Sequence, residues 1–99
     1  MSKIIFEINY NIHPEKRDEY LNTIRELKES MKDSSTGSYS IYEDKKKPNN
    51  FTEMYICGSE DELDALEDNQ SEETVQLTQK LFDEFIKDKK VLYTTKYEV

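Results

Sequence analysis

Hydrophobic residues occupy every second position of the segment Ile4–Ile12, near the start of the chain. Ile, Phe, Ile, Tyr and Ile occupy positions 4, 6, 8, 10 and 12, whereas Glu and Asn occupy positions 7, 9 and 11. Because successive side chains of a strand point to opposite faces, this period of two predicts a strand with one wholly apolar face. The segment is therefore predicted to be a central strand, covered on that face by helices.

A helix is predicted to follow this strand, from Pro14 to about Lys32. Pro14 suits a first helical turn because the N–H group that proline lacks would have no partner there. Apolar residues then recur at spacings of three and four, which is typical of a helix with one buried face. This stripe comprises Tyr20, Leu21, Ile24, Leu27 and Met31.

Two further strands are predicted at Ser38–Glu43 and Phe51–Cys57. The residues between them include Pro48 and a pair of asparagines, which favour a turn over a helix or a strand. Two strands joined by a loop of this length are most simply an antiparallel hairpin.

The second helical region is predicted to be broken near residues 69–71. Ser59 and Glu62 have the spacing of a capping box, which predicts the start of a short helix. Ser71 is suited to cap a fresh helix after the break, and residues 88–90 are predicted to close it. The apolar stripe of the two segments comprises Leu63, Leu66, Val75, Thr78, Leu81, Phe82, Phe85 and Ile86.

The final strand is predicted over Val91–Val99, where the pattern alternates again. The order of strands and helices is then that of the ferredoxin-like βαββαβ arrangement. Right-handed crossovers leave one common solution for this order, a four-stranded antiparallel sheet with both helices on one face. We therefore predict a single α+β domain over residues 1–99. The reverse face of the sheet is mixed in character, so it can either face water or pack against a second copy.

Composition and charge limit the size of the core, the class of partner and the compartment in which the protein is expected. Of the 99 residues, 34% are hydrophobic and 36% are charged, so the core is small and burial at a subunit interface is expected to help stabilise it. A net charge of −8 argues against nucleic acid, whose phosphates are bound through Lys and Arg. Cys57 is the single cysteine, which excludes an internal disulfide. Without an apolar run typical of a signal peptide or a membrane helix, we expect a cytoplasmic protein with no membrane partner.

Three short segments carry a likeness to a known family. The first strand passes into the first helix through Ile12-His13-Pro14-Glu15. The hairpin has Tyr, Asp, Pro-Asn and Phe at positions 42, 44, 48–49 and 51. Glu53-Met54-Tyr55 then has the form Glu-x-Tyr, and a capped helix follows it. Together these segments resemble the dimeric α+β barrel proteins, and within them the antibiotic-biosynthesis-monooxygenase group.

The resemblance implies a homodimer whose sheets meet face to face, with a pocket between sheet and helices in each subunit. In active relatives such a pocket lets an electron-rich phenolic substrate react with oxygen without metal or flavin. The chain departs from the family because Leu66 stands where many relatives have histidine, and because the spacing from Phe51 to Glu53 is shorter than usual. Haem-degrading relatives depend on a tryptophan and a histidine that this chain lacks, so haem degradation is not expected.

Few residues are suited to catalysis. One His, one Cys and scattered acids do not provide the clustered ligands of a metal site, so neither a metal nor another cofactor is expected. Cys57 is expected to be a small buried apolar residue. His13 and Glu53 are the candidate proton-transfer groups. For His13 a structural or solvated role at the helix start is favoured. For Glu53 an ion pair across the dimer, for example with Lys96, is favoured over a place on the pocket wall.

Tyrosines are the candidate ligand contacts. Six of the seven fall on predicted strands, although strand propensity explains much of this enrichment. Several buried hydroxyl groups that converge on one cavity would suit an aromatic or oxygenated small molecule. The predicted lining comprises Tyr10, Tyr39, Tyr55 and Tyr93. Phe82 and Phe85 are candidates for the opposite wall, although such a helix stripe more often belongs to the core.

Two functions are consistent with these residues. The first is a homodimer that binds a small organic molecule and acts as a cofactor-independent monooxygenase. The second is a non-catalytic dimeric module, structural or regulatory, whose pocket is filled by side chains, and Leu66 favours it. An open cavity of roughly 300 Å³ or more with convergent polar groups would support the first function, whereas a solid core would exclude it.

Overall fold

The computed structural model of the chain describes residues 3–31, 38–68 and 70–99. Its elements are, in order, β1 (Ile4–Ile12), a 3₁₀ turn (Pro14–Lys16), α1 (Arg17–Ser30), β2 (Ser38–Glu43), β3 (Asn50–Cys57), α2 (Glu60–Asp68), α3 (Glu72–Lys80), a π-helical turn (Leu81–Phe85) and β4 (Ile86–Tyr97). The first three strands and the break between α2 and α3 lie where the sequence predicts them.

The four strands form one antiparallel sheet in the order β2-β3-β1-β4. β1 is central, so that Ile8 lies opposite Glu53 of β3 on one side and opposite Tyr93 of β4 on the other. Directly paired residues of antiparallel strands share one face of the sheet. The apolar residues at the even positions of β1 therefore face the same side as Glu53 and Tyr93. The predicted ferredoxin-like α+β topology is confirmed.

The helices pack on this apolar face, where Tyr20 anchors α1. Tyr20 is fully buried, and its ring centroid lies 4.6 Å from that of Phe51 and 6.2 Å from that of Phe85. The core also joins Tyr10 and Ile12 of β1 to these rings. Because large aromatic side chains dominate the energetics of a core, these contacts fix α1 on the sheet.

The first helix is shorter than predicted, because a 3₁₀ turn precedes it and the regular α-helix covers only Arg17–Ser30. Its predicted end near Lys32 lies outside the described residues. Within the predicted stripe, three residues are buried and Leu21 and Met31 are partly buried against the core. No helix in the described part of the chain is long and apolar enough to cross a membrane.

Side-chain caps begin the two segments of the second helical region. The hydroxyl of Ser59 accepts a hydrogen bond from the backbone N–H of Glu62 at 3.2 Å, as the capping box requires. The carboxylate of Glu62, however, accepts from the N–H of Gly58 rather than from that of Ser59, which corrects half of the prediction. Ser71 accepts from the N–H of Thr74 at 3.1 Å and caps α3 as predicted.

The contact between α3 and α1 is polar where the sequence predicts an apolar one. Val75, which belongs to the predicted buried stripe, is 49% exposed. Its neighbour Thr74 is buried instead, and its hydroxyl lies 2.8 Å from the hydroxyl of Ser30 on α1. A hydrophobic pattern does not reveal this contact, because the hydrogen bond satisfies a threonine that the pattern counts as polar.

The last strand begins earlier than predicted, at Ile86 rather than at Val91. Ile86 pairs with Ile12, whereas Val91 pairs with Tyr10, so residues 87–90 bulge out of the strand. Such a bulge inserts extra residues without a change in the apolar pattern of the flanking positions. The prediction therefore missed the first part of β4.

The backbone of this bulge also explains why the second helical region ends early, at Phe85 rather than near residues 88–90. Asp88 and Lys89 have φ angles of 58° and 52°. These values lie in the left-handed region, which neither a right-handed helix nor a regular strand uses. The prediction that this charged run closes a helix is therefore wrong.

The reverse face of the sheet combines apolar side chains with one ion pair. Ile5 and Met54 are half-buried, and Leu92 is 65% exposed. The ammonium group of Lys96 lies 3.3 Å from a carboxylate oxygen of Glu7. This mixed face is the one that the sequence predicts to be either solvated or covered by a second copy.

Candidate functional site

A cavity of about 150 Å³ lies between the sheet and the second helical region. Strands β1, β3 and β4 supply its floor, and the opposite wall comes from the helical segments and the π-helical turn. The lining residues are Phe6, Ile8, Tyr10, Glu53, Tyr55, Leu66, Gln70, Thr78, Leu81, Phe82, Ile86, Val91 and Tyr93.

Aromatic rings cross the sheet from strand to strand on the cavity side. The ring of Phe6 on β1 stacks on Tyr93 of β4 with centroids 6.0 Å apart, and it lies 6.1 Å from Tyr55 of β3. The ring of Tyr55 is in turn 4.8 Å from that of Tyr39 on β2. Spacings of this size are typical of favourable aromatic contacts. Each strand thus contributes one ring to what we call the aromatic row, Tyr39, Tyr55, Phe6 and Tyr93.

The carboxyl group of Glu53 is buried on the cavity wall beside this row. The residue is 7% exposed, and its Oε1 accepts a hydrogen bond of 2.5 Å from the Tyr39 hydroxyl. Burial raises the pKa of Glu53, and hydrogen bonds from Tyr39 and Tyr10 oppose this rise without cancelling it. The site therefore contains an acid that keeps its proton to a higher pH than an ordinary glutamate does.

Glu53 does not form the predicted ion pair with Lys96. In the register of the sheet, Lys96 lies opposite Ile5, whereas Glu53 lies opposite Ile8. Because positions 5 and 8 of one strand point to opposite faces, Lys96 belongs to the reverse face, where it pairs with Glu7. Glu53 therefore does not pair with Lys96 within the chain and lies on the cavity wall instead. An ion pair of Glu53 across a dimer stays a prediction.

A second pair of hydroxyl groups extends the hydrogen-bonded network around Glu53. The hydroxyl oxygen of Tyr10 lies 2.8 Å from that of Tyr20 on α1, and both side chains are buried. Burial raises the pKa of each phenol, so both stay protonated and able to donate hydrogen bonds. The network therefore links the acid of the cavity to the helix that covers the sheet.

A π-helical turn shapes the wall that faces the sheet. Leu81 and Phe82 of this turn line the cavity, as does Ile86 directly after it. A π-helical turn adds one residue to the hydrogen-bonded ring of an α-helix, and such turns occur frequently at functional sites. Phe85 of the same turn is fully buried in the core, so the turn both lines the cavity and anchors its wall.

Most of the predicted ligand contacts meet at this cavity. The predicted residues on its lining are Tyr10, Tyr55, Phe82 and Tyr93. Tyr39 is not among the lining residues, and it contributes through its hydrogen bond to Glu53. The roles of these side chains in binding a ligand stay a prediction.

His13 and Cys57 do not line the cavity. The backbone N–H of His13 donates to the carbonyl of Phe85 at 3.0 Å, and its carbonyl accepts from the N–H of Lys16 at 2.9 Å. These contacts join the 3₁₀ turn to the π-helical turn. Cys57 is fully buried on β3, and burial raises the pKa of its thiol. The structure does not bring either residue to Glu53, and a catalytic role for His13 stays an untested prediction.

Three residues of the site were not identified from the sequence in the roles that the structure gives them. Tyr20 belongs to the apolar stripe of α1, which indicates burial but not the partner of its hydroxyl group. Gln70 lies at the break between α2 and α3, which the composition marks only as an interruption. Leu66 lines the cavity at the position where many members of the resembled family have histidine.

The lining is suited to binding and proton exchange. Within residues 3–31, 38–68 and 70–99, no group of three or more His, Cys, Asp or Glu residues could hold a metal ion. The polar groups on the lining are the Glu53 carboxyl, three tyrosine hydroxyls, the Gln70 amide and the Thr78 hydroxyl. Such a set can orient a small molecule and exchange one proton with it.

Comparison with protein-family models and with curated protein sequences finds no match to this chain. Solved structures do match it. A conserved protein from Methanosarcina mazei Go1 is similar with a TM-score of 0.84 at 20% identity, over 100% of this chain and 95% of that one. An antibiotic biosynthesis monooxygenase gives a TM-score of 0.69 at 24% identity, over 95% of this chain and 96% of that one. A variant of SnoaB, a cofactor-independent oxygenase from Streptomyces nogalater, gives a TM-score of 0.73 at 7% identity, over 95% of this chain and 90% of that one.

These similarities concern the fold. At identities from 7% to 24% they do not transfer chemistry, because one fold supports many functions. They agree with the resemblance carried by the hairpin and the capped helix, which is thereby confirmed at the level of architecture. The chain has the α+β fold of the antibiotic-biosynthesis-monooxygenase-like proteins.

Proposed function

We propose that the protein is a cytoplasmic homodimer that binds a one-ring phenol in the cavity and oxidises it with molecular oxygen, without a cofactor. The observation that carries this proposal is the buried carboxyl group of Glu53 on the wall of an aromatic-lined cavity. A carboxyl group in such surroundings is a candidate general base. The fold adds support, since two similar structures are named an antibiotic biosynthesis monooxygenase and a cofactor-independent oxygenase.

The size of the cavity limits the ligand to a single aromatic ring. Its volume is about 150 Å³, and an engineered apolar cavity of that size binds benzene. Sites for larger ligands typically occupy roughly 300–1,000 Å³. The aromatic row offers flat surfaces against which one ring can pack, with the Glu53 carboxyl beside it.

In the proposed reaction, Glu53 acts on the hydroxyl group of the bound phenol. Its carboxylate accepts the phenolic proton, and the phenolate then reduces oxygen. One oxygen atom joins a ring carbon and the other leaves as water, so that phenol and O₂ give a quinone and water, with four electrons passing from phenol to oxygen. The raised pKa of Glu53 suits this role, because a general base works best when it titrates near the operating pH.

The reverse face of the sheet supports the homodimer. Ile5 and Met54 are half-buried there, and Leu92 is 65% exposed. A second copy laid across this face would bury these side chains and supplement a small core. The unpaired thiol of Cys57 is in keeping with a reducing compartment, which supports the cytoplasm.

A non-catalytic structural or regulatory module is the second candidate. Side chains do not fill the space between the sheet and the helices completely, but the cavity of about 150 Å³ is smaller than the roughly 300 Å³ expected of a ligand site. Leu66 also lines it where many members of the resembled family have histidine. Both observations favour a pocket that side chains have partly filled.

Thermal unfolding and oxygen consumption with resorcinol, an electron-rich one-ring phenol, distinguish the two candidates. We expect resorcinol to raise the midpoint of unfolding and to be oxidised faster than in buffer. Glu53→Gln should still bind resorcinol but lose roughly 10²-fold or more of the rate, the usual contribution of a general base. Glu26→Gln, the same change at an exposed position of α1, should retain both properties.

Each negative result of this experiment has a distinct meaning. Binding of resorcinol without oxygen uptake would overturn the oxidation and leave a binding protein. No shift in the unfolding midpoint at any resorcinol concentration would favour the filled module.

A further inference from the structure

We infer that the cavity selects its ligand by charge: it admits neutral or cationic one-ring molecules that carry a hydrogen-bond donor, and it rejects anionic ones. The inference deepens the proposed function, on which it rests for the place of the ligand. It concerns the chemical class of that ligand and holds whether or not an oxidation follows.

The lining of the cavity can supply a negative charge but not a positive one. Among the lining residues in the described part of the chain, Glu53 is the only acidic or basic one. Two cations elsewhere in the fold pair with acids of their own. Lys96 pairs with Glu7 on the reverse face, and Arg17 donates to the Glu43 carboxylate at 2.8 Å on the outer end of the hairpin.

An anion that enters this cavity from water lacks a counter-charge in either protonation state of Glu53. The phenolate of the proposed reaction differs, because it forms by proton transfer to Glu53 and leaves the net charge of the cavity unchanged. The ionised carboxylate repels it, and the protonated acid offers one hydrogen-bond donor without a charge. Transfer of an unpaired charge out of water is costly, and hydrogen bonds to neutral groups offset only part of that cost. The hydroxyls of Tyr39 and Tyr10 are already engaged, since both interact with Glu53.

A ligand that brings a donor has complementary surroundings. A hydroxyl or amine group can donate to the Glu53 carboxyl while its ring packs on the aromatic row. A cationic group makes two favourable interactions, because it neutralises the carboxylate and because aromatic rings attract cations through their faces. Phe6 lies between Tyr55 and Tyr93 and so brings three rings to the same part of the cavity.

Three ligands of similar shape test this inference on the full chain. Benzyl alcohol is neutral, benzylamine is cationic and benzoate is anionic at pH 7.5. Titration calorimetry, or NMR where binding is weak, gives the three dissociation constants. We expect benzylamine to bind at least as tightly as benzyl alcohol, and benzoate to bind at least about tenfold more weakly, because its charge is unpaired.

Glu53→Gln keeps the shape of the side chain and removes its charge. The variant should raise the dissociation constant of benzylamine at least about tenfold, because a charge-assisted hydrogen bond is lost. The dissociation constant of benzyl alcohol should change less than about threefold. Glu26→Gln is the matched control, because it makes the same change on the exposed face of α1 and should alter none of the three constants. Circular dichroism confirms that each variant is folded, and the wild-type series is decisive on its own.

The outcomes separate this inference from the proposed function. Benzoate binding as tightly as benzyl alcohol to the wild-type protein would overturn charge selection and leave ligand binding in place. No binding of any of the three would overturn charge selection, and if resorcinol also leaves the midpoint of unfolding unchanged, the proposed function is overturned with it. The expected order of affinities, without oxygen uptake on resorcinol, would uphold charge selection and reject the oxidation.

Discussion

Glu53 combines two properties that seldom occur in one carboxyl group. It is 7% exposed, and the hydrogen bond to its Oε1 comes from the phenol of Tyr39 rather than from a cation. Burial raises its pKa above the usual 4.5. A group whose pKa is higher in the folded state contributes stability that is complete below its unfolded pKa and is lost as the pH rises through the folded value.

Glu53→Gln should therefore remove a pH-dependent loss of stability. Relative to the variant, the wild-type protein should lose free energy of unfolding as the pH rises from 4.5 through the raised pKa of Glu53, and the difference should then level off. Urea unfolding of both proteins between pH 4 and pH 9 measures this difference. If the two stability curves run parallel, the carboxyl group is not buried as described.

The hydrogen bond from Tyr39 to Glu53 is a second test at the residue scale. Tyr39→Phe removes a donor at 2.5 Å, and hydrogen bonds to charged groups contribute roughly 1.5–3 kcal/mol. The free energy of unfolding should fall by about this amount where Glu53 is ionised and by less where it is protonated. Urea unfolding at both ends of the pH range gives the two values.

Tyr42→Phe is the matched control for Tyr39→Phe. Tyr42 lies on the same strand, but its side chain is on the reverse face and is 55% exposed. Its loss of a hydroxyl should change the free energy of unfolding by less than about 0.5 kcal/mol. Equal losses in the two variants would mean that the Tyr39 hydroxyl does not stabilise Glu53.

At the scale of elements, the strands could be predicted from alternation and their junctions could not. β1 and β2 have the predicted bounds because two-residue periodicity is a property of the strand itself. The bulge at residues 87–90 depends on the backbone angles of charged residues, which carry no hydrophobic pattern. For that reason the first part of β4 was predicted as the end of a helix.

The candidate site could be predicted in part for the same reason. Alternation places Glu53 on the same face as Phe51 and Tyr55, so its face follows from the sequence. Its partner does not, because Tyr39 rather than Lys96 is selected by the register between strands. The size of the cavity also depends on how helix side chains such as Leu66 fill the space, and this is a matter of packing rather than pattern.

The left-handed residues of the bulge give a prediction at this scale. Lys89 has a φ of 52°, a conformation that costs a residue with a side chain roughly 1–2 kcal/mol. Lys89→Gly should raise the free energy of unfolding by up to about 1 kcal/mol, since glycine adopts this φ freely but loses more entropy on folding. Urea unfolding measures the change.

Lys90→Gly is the control, because Lys90 does not have a positive φ. It should lower the free energy of unfolding by about 0.5–1 kcal/mol, because glycine loses more conformational entropy on folding than lysine does. A loss of similar size at both positions would contradict the left-handed conformation of Lys89.

At the scale of the whole molecule, an acidic chain with a small core presents one sheet face without a helix layer. Light scattering in dilute solution should give twice the chain mass of 11.8 kDa. Leu92→Glu, which places a charge on the reverse face, should shift the protein toward the monomer. Val75→Glu, at an exposed apolar position of α3, should leave the dimer intact. A wild-type protein that scatters as a monomer would contradict the proposed assembly.

The proposed function requires that the cavity receive one aromatic ring beside the Glu53 carboxyl group. A crystal structure of the protein soaked in phenol would show whether it does. We expect electron density for the ring against Phe6 and Tyr93, with its oxygen about 2.6–3.2 Å from a carboxylate oxygen of Glu53. A cavity that stays empty, or whose space is taken by Leu66 and Phe82, would contradict it.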